Sequence, residues 1–248
     1  MALVAAPASW PWVAGGIVAN HAALALAGFL PRSRLLGPNL ARLPAPAAQR
    51  SEVALTFDDG PDPEVTPRVL DALDAAGLKA TFFLIGERAA RHAALAREIV
   101  RRGHAVENHS HRHSTAFGWY GPGRARREVE AAQGAIADAT GVAPAFFRAP
   151  FGIRNPLLDP ALARCGLRYV SWTRRGFDTV ARDPRQVLDR LAHGLAAGDI
   201  LLLHDGITVR RRAGAAPALA VLPALAARLA AAGLRSVTLR DGCRDAGA

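Results

Sequence analysis

Two neighbouring carboxylates, Asp58 and Asp59, stand in the run Thr56-Phe57-Asp58-Asp59-Gly60-Pro61-Asp62, directly after a strand-like apolar stretch. Like charges that close raise each other's pKa and persist only with a cation, a proton or hydrogen bonds. Successive strand residues point to opposite faces. The pair can therefore divide its labour, one carboxylate holding a metal and the other handling a proton. A plain turn is the competing reading, because Asp, Gly and Pro all form turns. A second cluster reads His109-Ser110-His111-Arg112-His113. In a helical turn, positions i and i+4 share a face, which aims His109 and His113 at one ion and turns His111 away. A polar, histidine-rich turn has the same composition. With Asp59 beside them, two imidazoles and one carboxylate suit zinc and leave a coordination position open for water. Iron or another first-row metal fits the same donors.

Such residues need strand ends to hold them. From Glu52 onward, strand-like runs at 52–57, 80–85, 104–107, 145–148, 168–173, 199–203 and 235–239 alternate with helix-like segments near 66–76, 87–102, 124–139, 156–165, 184–197 and 217–232. Thr66-Pro67 and Asp183-Pro184 read as an N-cap followed by proline in the first turn. Gly77, Gly103, Gly141, Gly166, Gly198 and Gly233 fall where helices should stop. Short apolar strands joined by helices predict a buried parallel sheet with right-handed crossovers. Seven strands predict an α/β fold, a distorted seven-stranded (β/α) barrel with parallel strands; a doubly wound open sheet is the alternative. In either fold, chemistry belongs at the C-terminal strand ends. Asp58 and Asp59, the histidine cluster, Arg148-Ala149-Pro150-Phe151-Gly152, Arg174 to Asp178 and His204-Asp205-Gly206 all follow strands in this pattern.

Half of the 248 residues are hydrophobic, which fits a globular chain with a full core. The net charge of +10 is almost all arginine, Lys79 being the only lysine. No nucleic-acid-binding signature accompanies the charge, so nucleic acid is not an expected partner. Arg148, Arg154, Arg174, Arg175 and the run Arg210-Arg211-Arg212 all fall beyond strand ends. They form either a solvated face or a mouth for an anionic substrate. Cys165 and Cys243 stand in no metal-binding or disulfide spacing and read as free thiols.

Residues 1–31 contain no Asp, Glu, Lys or Arg, and Trp10 to Leu30 is mostly apolar. There is no positive n-region of a signal peptide. The length matches one membrane span, which needs ~20 residues. A helix packed on the domain or lying in the interface is the alternative, so membrane association through residues 10–30 is one expectation. Arg32, Arg34, Arg42 and Arg50 follow, a bias that leaves the main domain on the cytoplasmic side. The expected organisation is an apolar segment over 1–31, a proline-rich linker over 32–50, a catalytic domain over 51–242 and a tail over 243–248.

Four of these motifs, in this order on matching strand ends, resemble the polysaccharide deacetylase family (carbohydrate esterase family 4, the NodB-homology domain). They are Thr56 to Pro61, His109 to His113, Arg148 to Gly152 and Leu202-Leu203-His204, and the resemblance covers about residues 50–240. It implies a distorted seven-stranded barrel and a metal-assisted hydrolase that removes an N-acyl group, N-acetyl above all, from an amino sugar. Asp59, His109 and His113 would hold a divalent metal, preferably Zn2+. Asp58 would be the base that activates water, and Arg148 would orient it. The backbone N–H of Phe151 would stabilise the oxyanion, and His204 would protonate the departing amine. The family has an Asp three residues after a strand Trp; here Arg175 holds that place after Trp172, and Asp178 keeps only the second acidic position. A cation near His204 would lower its pKa, and Asp178 is the candidate carboxylate partner. Arg174, Arg175 and Pro150 are candidate substrate contacts. An anionic acyl-amino sugar on a lipid or nucleotide carrier fits the basic mouth. An O-esterase, an amidase on a non-sugar substrate and a catalytically silent carbohydrate-binding barrel are the alternatives.

Overall fold

Parity along the first strand sets the layout. The structure, a computed structural model, describes residues 9–181, 183–206 and 217–245. Strand β1 (Glu52–Asp58) is buried along its whole length. Val53, Leu55 and Phe57 pack outward in the core shared with the helices, and Ala54 packs inward beside Phe83, Ile200 and Leu202. The period of two therefore turns Thr56 and Asp58 inward as well. In β7 (Ile200–His204), Leu201 and Leu203 face out, so Ile200, Leu202 and His204 face in. The two strands pair in parallel with Asp58 opposite His204. Alternation alone thus places a carboxylate and an imidazole side by side at the C-terminal end of the barrel interior.

The remaining strands are β2 (Thr81–Leu84), β3 (Ala105–Asn108), β4 (Phe146–Phe147), β5 (Arg168–Tyr169), β6 (Arg174–Arg175) and β8 (Arg235–Val237). All pairings are parallel, in the order β5-β4-β3-β2-β1-β7-β6, with β8 on the first half of β1. The sheet curls into the expected distorted barrel. Its membership differs from the expected one: the run 168–173 supplies β5 alone, and β6 is a separate strand just beyond it. Residues 170–173 cross from one end of the sheet to the other, so β5 and β6 leave a seam.

An arm of the chain fills that seam. Residues 32–50, expected as a linker, are built into the barrel. The Leu40 N–H donates to the Tyr169 carbonyl at 3.0 Å, Ser171 N–H to the Leu40 carbonyl at 3.1 Å, and Leu43 N–H to the Gly198 carbonyl at 2.8 Å. Leu43 and Ala47, the latter in helix α2 (Ala45–Gln49), join the interior cluster. Open sheet edges carry backbone groups that need partners, and the arm supplies them.

Before the arm, helix α1 (Trp10–Phe29) buries only Ala27 and Gly28. It is long and apolar enough to cross a membrane, with a mean hydropathy of 1.4.

Around the sheet lie α3 (Thr66–Ala75), α4 (Gly86–Arg91), α5 (Ala93–Arg101), α6 (Pro122–Thr140), α7 (Asp159–Arg164), α8 (Pro184–Ala192), α9 (Pro217–Ala231) and α10 (Leu239–Gly242). Asp183 caps α8 as expected, accepting from the Arg185 N–H. Thr66 does not cap α3, because it lies inside the helix. Its hydroxyl donates to Asp205 at 2.6 Å, and Asp62 accepts the N–H groups of Glu64 and Val65 instead.

Candidate active site

Asp59 follows β1 directly, and its positive φ of 78° turns the chain at the strand end. Asp tolerates that left-handed conformation better than most residues. Gly206 packs against the same turn so closely that a Cβ there would lie 2.3 Å from the Asp59 carbonyl oxygen, so only glycine fits. The consecutive carboxylates then point to different neighbours, as the alternation predicts.

The histidine cluster arrives by another route than expected. Residues 109–113 form a loop, not a helical turn, with Ser110 and His113 at positive φ. The loop is held at both ends. Asn108 Oδ1 accepts from the Ser110 N–H at 3.0 Å, and Ser110 Oγ accepts from the His113 N–H at 3.1 Å. Glu128 on α6 accepts from the N–H groups of His111 and Arg112. These contacts bring Nε2 of His109 and of His113 to 3.4 and 3.1 Å from the same Asp59 oxygen. The three ligand atoms lie within 4.8 Å of one another. His109 Nδ1 lies 2.8 Å from the Arg148 carbonyl oxygen, where an N–H would donate. That bond leaves Nε2 as the lone-pair nitrogen facing Asp59, the arrangement that orients an imidazole ligand. The donor set fits a small divalent cation.

Electrostatics agrees with that fit. Burial alone would raise the Asp59 carboxyl; the imidazoles of His109 and His113 beside it, with the charge of His204, hold it far below the usual carboxylate range. Burial pushes the His113 imidazole down to about 4, the His109 charge acting the same way while Asp59 and Asp58 oppose. A metal ligand must be a neutral imidazole and an ionised carboxylate.

Asp58 has a different neighbourhood. Arg148 is wholly buried and donates from Nη1 to Asp58 Oδ1 at 2.6 Å and to Thr56 Oγ1 at 2.9 Å, and from Nη2 to the Ser171 carbonyl at 3.1 Å. Its guanidinium lies 4.1 Å over the Phe83 ring. Asp58 is thereby fixed, with its other oxygen 3.7 Å from His109 Nε2. Across the cavity, Asp178 accepts from the His204 backbone N–H at 2.9 Å and meets His204 Nδ1 at 2.8 Å. Phe177, at a positive φ of 56°, makes the turn that sends Asp178 inward. Burial works against protonation of His204, yet the hydrogen bond and charge of Asp178, with the charges of Asp59 and Asp58, raise it to about 9.

Arg175 does not oppose this pairing. Its guanidinium sits 5.4 Å from the Trp172 ring and 4.8 Å from the Phe177 ring, at the wall of a cavity of about 240 Å³ that reaches Asp58, Asp59, His109, His113 and His204. Phe151 and Gly152 line the same cavity. The Phe151 ring lies tilted against His113 with centroids 4.7 Å apart, and Pro150 is buried. Both Phe151 and Gly152 have positive φ, and a Cβ on Gly152 would strike the Trp172 ring at 2.3 Å.

The other arginines do not form the expected mouth. Arg174 pairs with Asp199 at 2.8 Å and donates to the carbonyls of His193 and Gly194. The register puts it opposite Leu201, three residues below His204. Arg154 is buried against Asp159 and the Gly37 carbonyl. Arg210, Arg211 and Arg212 lie outside the described residues. Sequence reasoning missed Glu128, Asn108 and Thr56, whose only signal is a polar residue on an otherwise core-facing helix or strand position.

Known proteins resemble this chain in sequence and in fold. The family model for polysaccharide deacetylase matches residues 46–170. A chitooligosaccharide deacetylase of Bradyrhizobium sp. is 37% identical over 155 residues, spanning 62% of this chain and 70% of that protein. A peptidoglycan-N-acetylglucosamine deacetylase of Bacillus cereus is 32% identical over 197 residues, spanning 76% of this chain and 86% of that protein. Among solved structures, a family 4 acetyl xylan esterase from Clostridium thermocellum in complex with a cobalt ion superposes with a TM-score of 0.70 at 32% identity, covering 78% of this chain and 90% of that one.

Proposed function

The chain belongs to the polysaccharide deacetylase family, and from that membership we propose that it is a divalent-metal-dependent hydrolase that removes the N-acetyl group from an N-acetylglucosamine-type sugar. The observation that carries the reading is the division of the two adjacent carboxylates: Asp59 converges with His109 and His113, while Asp58 is held apart by Arg148. Asp59, His109 and His113 would hold the metal, and two imidazoles with a carboxylate favour zinc. When bound, it supplies Lewis acidity and lowers the pKa of water.

The protein's own groups account for the proton traffic. Asp58, oriented by Arg148, takes the proton of the water that attacks the acetyl carbonyl. The carbonyl oxygen gains negative charge at the Phe151 turn, where a backbone N–H can meet it. His204, protonated through Asp178, gives its proton to the nitrogen as the C–N bond breaks. Acetate and a free amine leave. Arg175 is the one arginine of the expected mouth, among the described residues, that faces the cavity, and it offers a contact for an anionic substituent on the sugar or its carrier.

The esterase neighbour supports a second reading, hydrolysis of an acetyl ester. Acetate release from N-acetylated chitooligosaccharide and from acetylated xylan, with elemental analysis of the purified protein, separates the two. Release from the ester alone would reject the amidase reading. Release from neither, with metal bound, would leave a silent sugar-binding barrel. Asp58→Asn should abolish release while metal content stays unchanged. We also place α1 in a membrane, with the domain on the cytoplasmic side, on its length and the arginines that follow it.

A further inference from the structure

The exposed large apolar side chains fall in two places among the described residues. One set, from Trp10 to Leu35, belongs to α1 and the start of the arm. The other comprises Trp119 after β3, Phe151 and Leu157 after β4, and Phe177 and Val180 after β6. All five of the latter follow C-terminal strand ends, so the apolar exposure of the barrel is confined to the end that holds the chemistry. A soluble domain scatters its exposed apolar residues singly, whereas a concentration on one face marks an interaction surface.

The two sets are tied together. Asn155 Nδ2 donates to the Gly118 carbonyl at 3.1 Å, which fixes the Trp119 turn to the loop after β4. Gly152 of that loop lies against Trp172, and Arg175 bridges Trp172 and Phe177. The Arg154 N–H donates to the Gly28 carbonyl at 3.1 Å, and Arg32 Nη2 donates to the Thr173 carbonyl at 2.8 Å. The C-terminal end of α1 is therefore hydrogen-bonded, through Arg154, to the loop after β4 that frames the catalytic cavity, whereas Thr173 lies beside Ile200 at the other end of the strands. A helix end that emerges from a bilayer brings its attached loops to the bilayer surface. Trp119 is 85% exposed, and tryptophan favours that interfacial depth. Arg32 and Arg34 stand exposed beside the helix end, where anionic headgroups attract them.

We propose that the cavity rim is a bilayer-docking surface, and that the acetylated amino sugar is taken as the headgroup of a membrane lipid. The substrate class rests on the deacetylase reading above; the docking does not. The carrier lipid stays in the bilayer while its sugar enters between Phe151 and Val180, both of which line the cavity. A free oligosaccharide can stack on aromatic rings, so a vesicle-anchored and a soluble substrate must be compared.

The test uses the full chain reconstituted in vesicles of phosphatidylcholine and phosphatidylglycerol, in a Trp10→Phe, Trp12→Phe background. Trp119 emission should be quenched by bromine-labelled acyl chains, and the quenching should vanish in Trp119→Ser. The double variant Trp119→Asp, Leu157→Asp should release acetate from a vesicle-anchored N-acetylglucosaminyl lipid at least about tenfold more slowly, since both apolar contacts are lost. Its release from soluble chitooligosaccharide should be unchanged. An unquenched Trp119, or equal slowing on both substrates, overturns the proposal. Quenching with no acetate from either substrate in the parent chain would retain the docking and reject the deacetylase reading.

Discussion

The two ends of the barrel both bury carboxylates, but they neutralise them differently. At the N-terminal end, Glu52 pairs with Arg50 at 2.9 Å and with Arg235, and Asp199 pairs with Arg42 at 3.0 Å and with Arg174 at 2.8 Å. Guanidinium stays charged at every working pH. At the C-terminal end Asp58 pairs with the Arg148 guanidinium, while Asp59 faces His109 and His113 and Asp178 faces His204. Asp205 is held by the Thr66 hydroxyl, and burial raises it to about 7 against that hydrogen bond. Permanent partners make one end a fastening. Titratable partners make the other end able to take up a cation and pass protons, the division expected between the two faces of such a barrel.

The largest effect should come from removing the metal-facing carboxylate. Asp59→Ala is expected to lower acetate release by roughly a thousandfold or more and to abolish stoichiometric zinc in elemental analysis. Retained zinc would break the assignment of this end. Asp178→Asn should reduce kcat by about ten- to a hundredfold with little change in KM. It should also move the alkaline limb of the kcat profile to lower pH, because Asp178 is what raises His204. An unmoved limb removes Asp178 from the mechanism.

At the opposite end, Asp199→Asn should leave kcat and KM alone. It should lower unfolding stability in urea by about 1–2 kcal/mol, because its arginines can relax toward solvent.

The subtlest contrast is in pH. Burial would raise Glu52, but Arg50 and then Arg235 hold it below its ordinary value of 4.5, so its contribution is present above that pH and is lost on acidification. His204 is raised from 6.5 to about 9, so its contribution in the metal-free protein is complete below pH 6.5 and is lost as the pH climbs through 9. Urea unfolding across pH should show Glu52→Gln flattening the acid decline and Asp178→Asn flattening the alkaline one. The reverse pattern would refute the assignment of the two ends.

The strands that carry Asp58 and His204 were legible in the sequence because a two-residue period inside a continuous apolar run leaves one solution. The pairing of Asp178 with His204 was expected too, from the second acidic position that the family resemblance assigns. Other features were hidden by backbone conformation. The left-handed Ser110 and His113 replace the helical turn that the i, i+4 spacing suggested. The break after Tyr169 cannot be seen in a run of strand formers, because there β4 ends and the backbone pairs with the arm at Leu40 instead. For the arginines, position beyond a strand end says nothing about length of reach: Arg174 and Arg154 fold back onto Asp199 and Asp159. Residues 38–46 contain three prolines and read as a spacer. Only the seam they fill gives them a place.

That seam has a consequence for how the molecule is made. Leu40 bridges Val170, and Leu43 takes its partner at Gly198, so the arm leaves the ribosome roughly 130 to 155 residues ahead of the backbone that receives it. Contacts of such long sequence separation form late. The apolar helix can therefore reach a bilayer before the barrel exists to close around the arm. If the helix is a membrane anchor, as proposed, anchoring would come first in synthesis and the arm would be stitched into the barrel last.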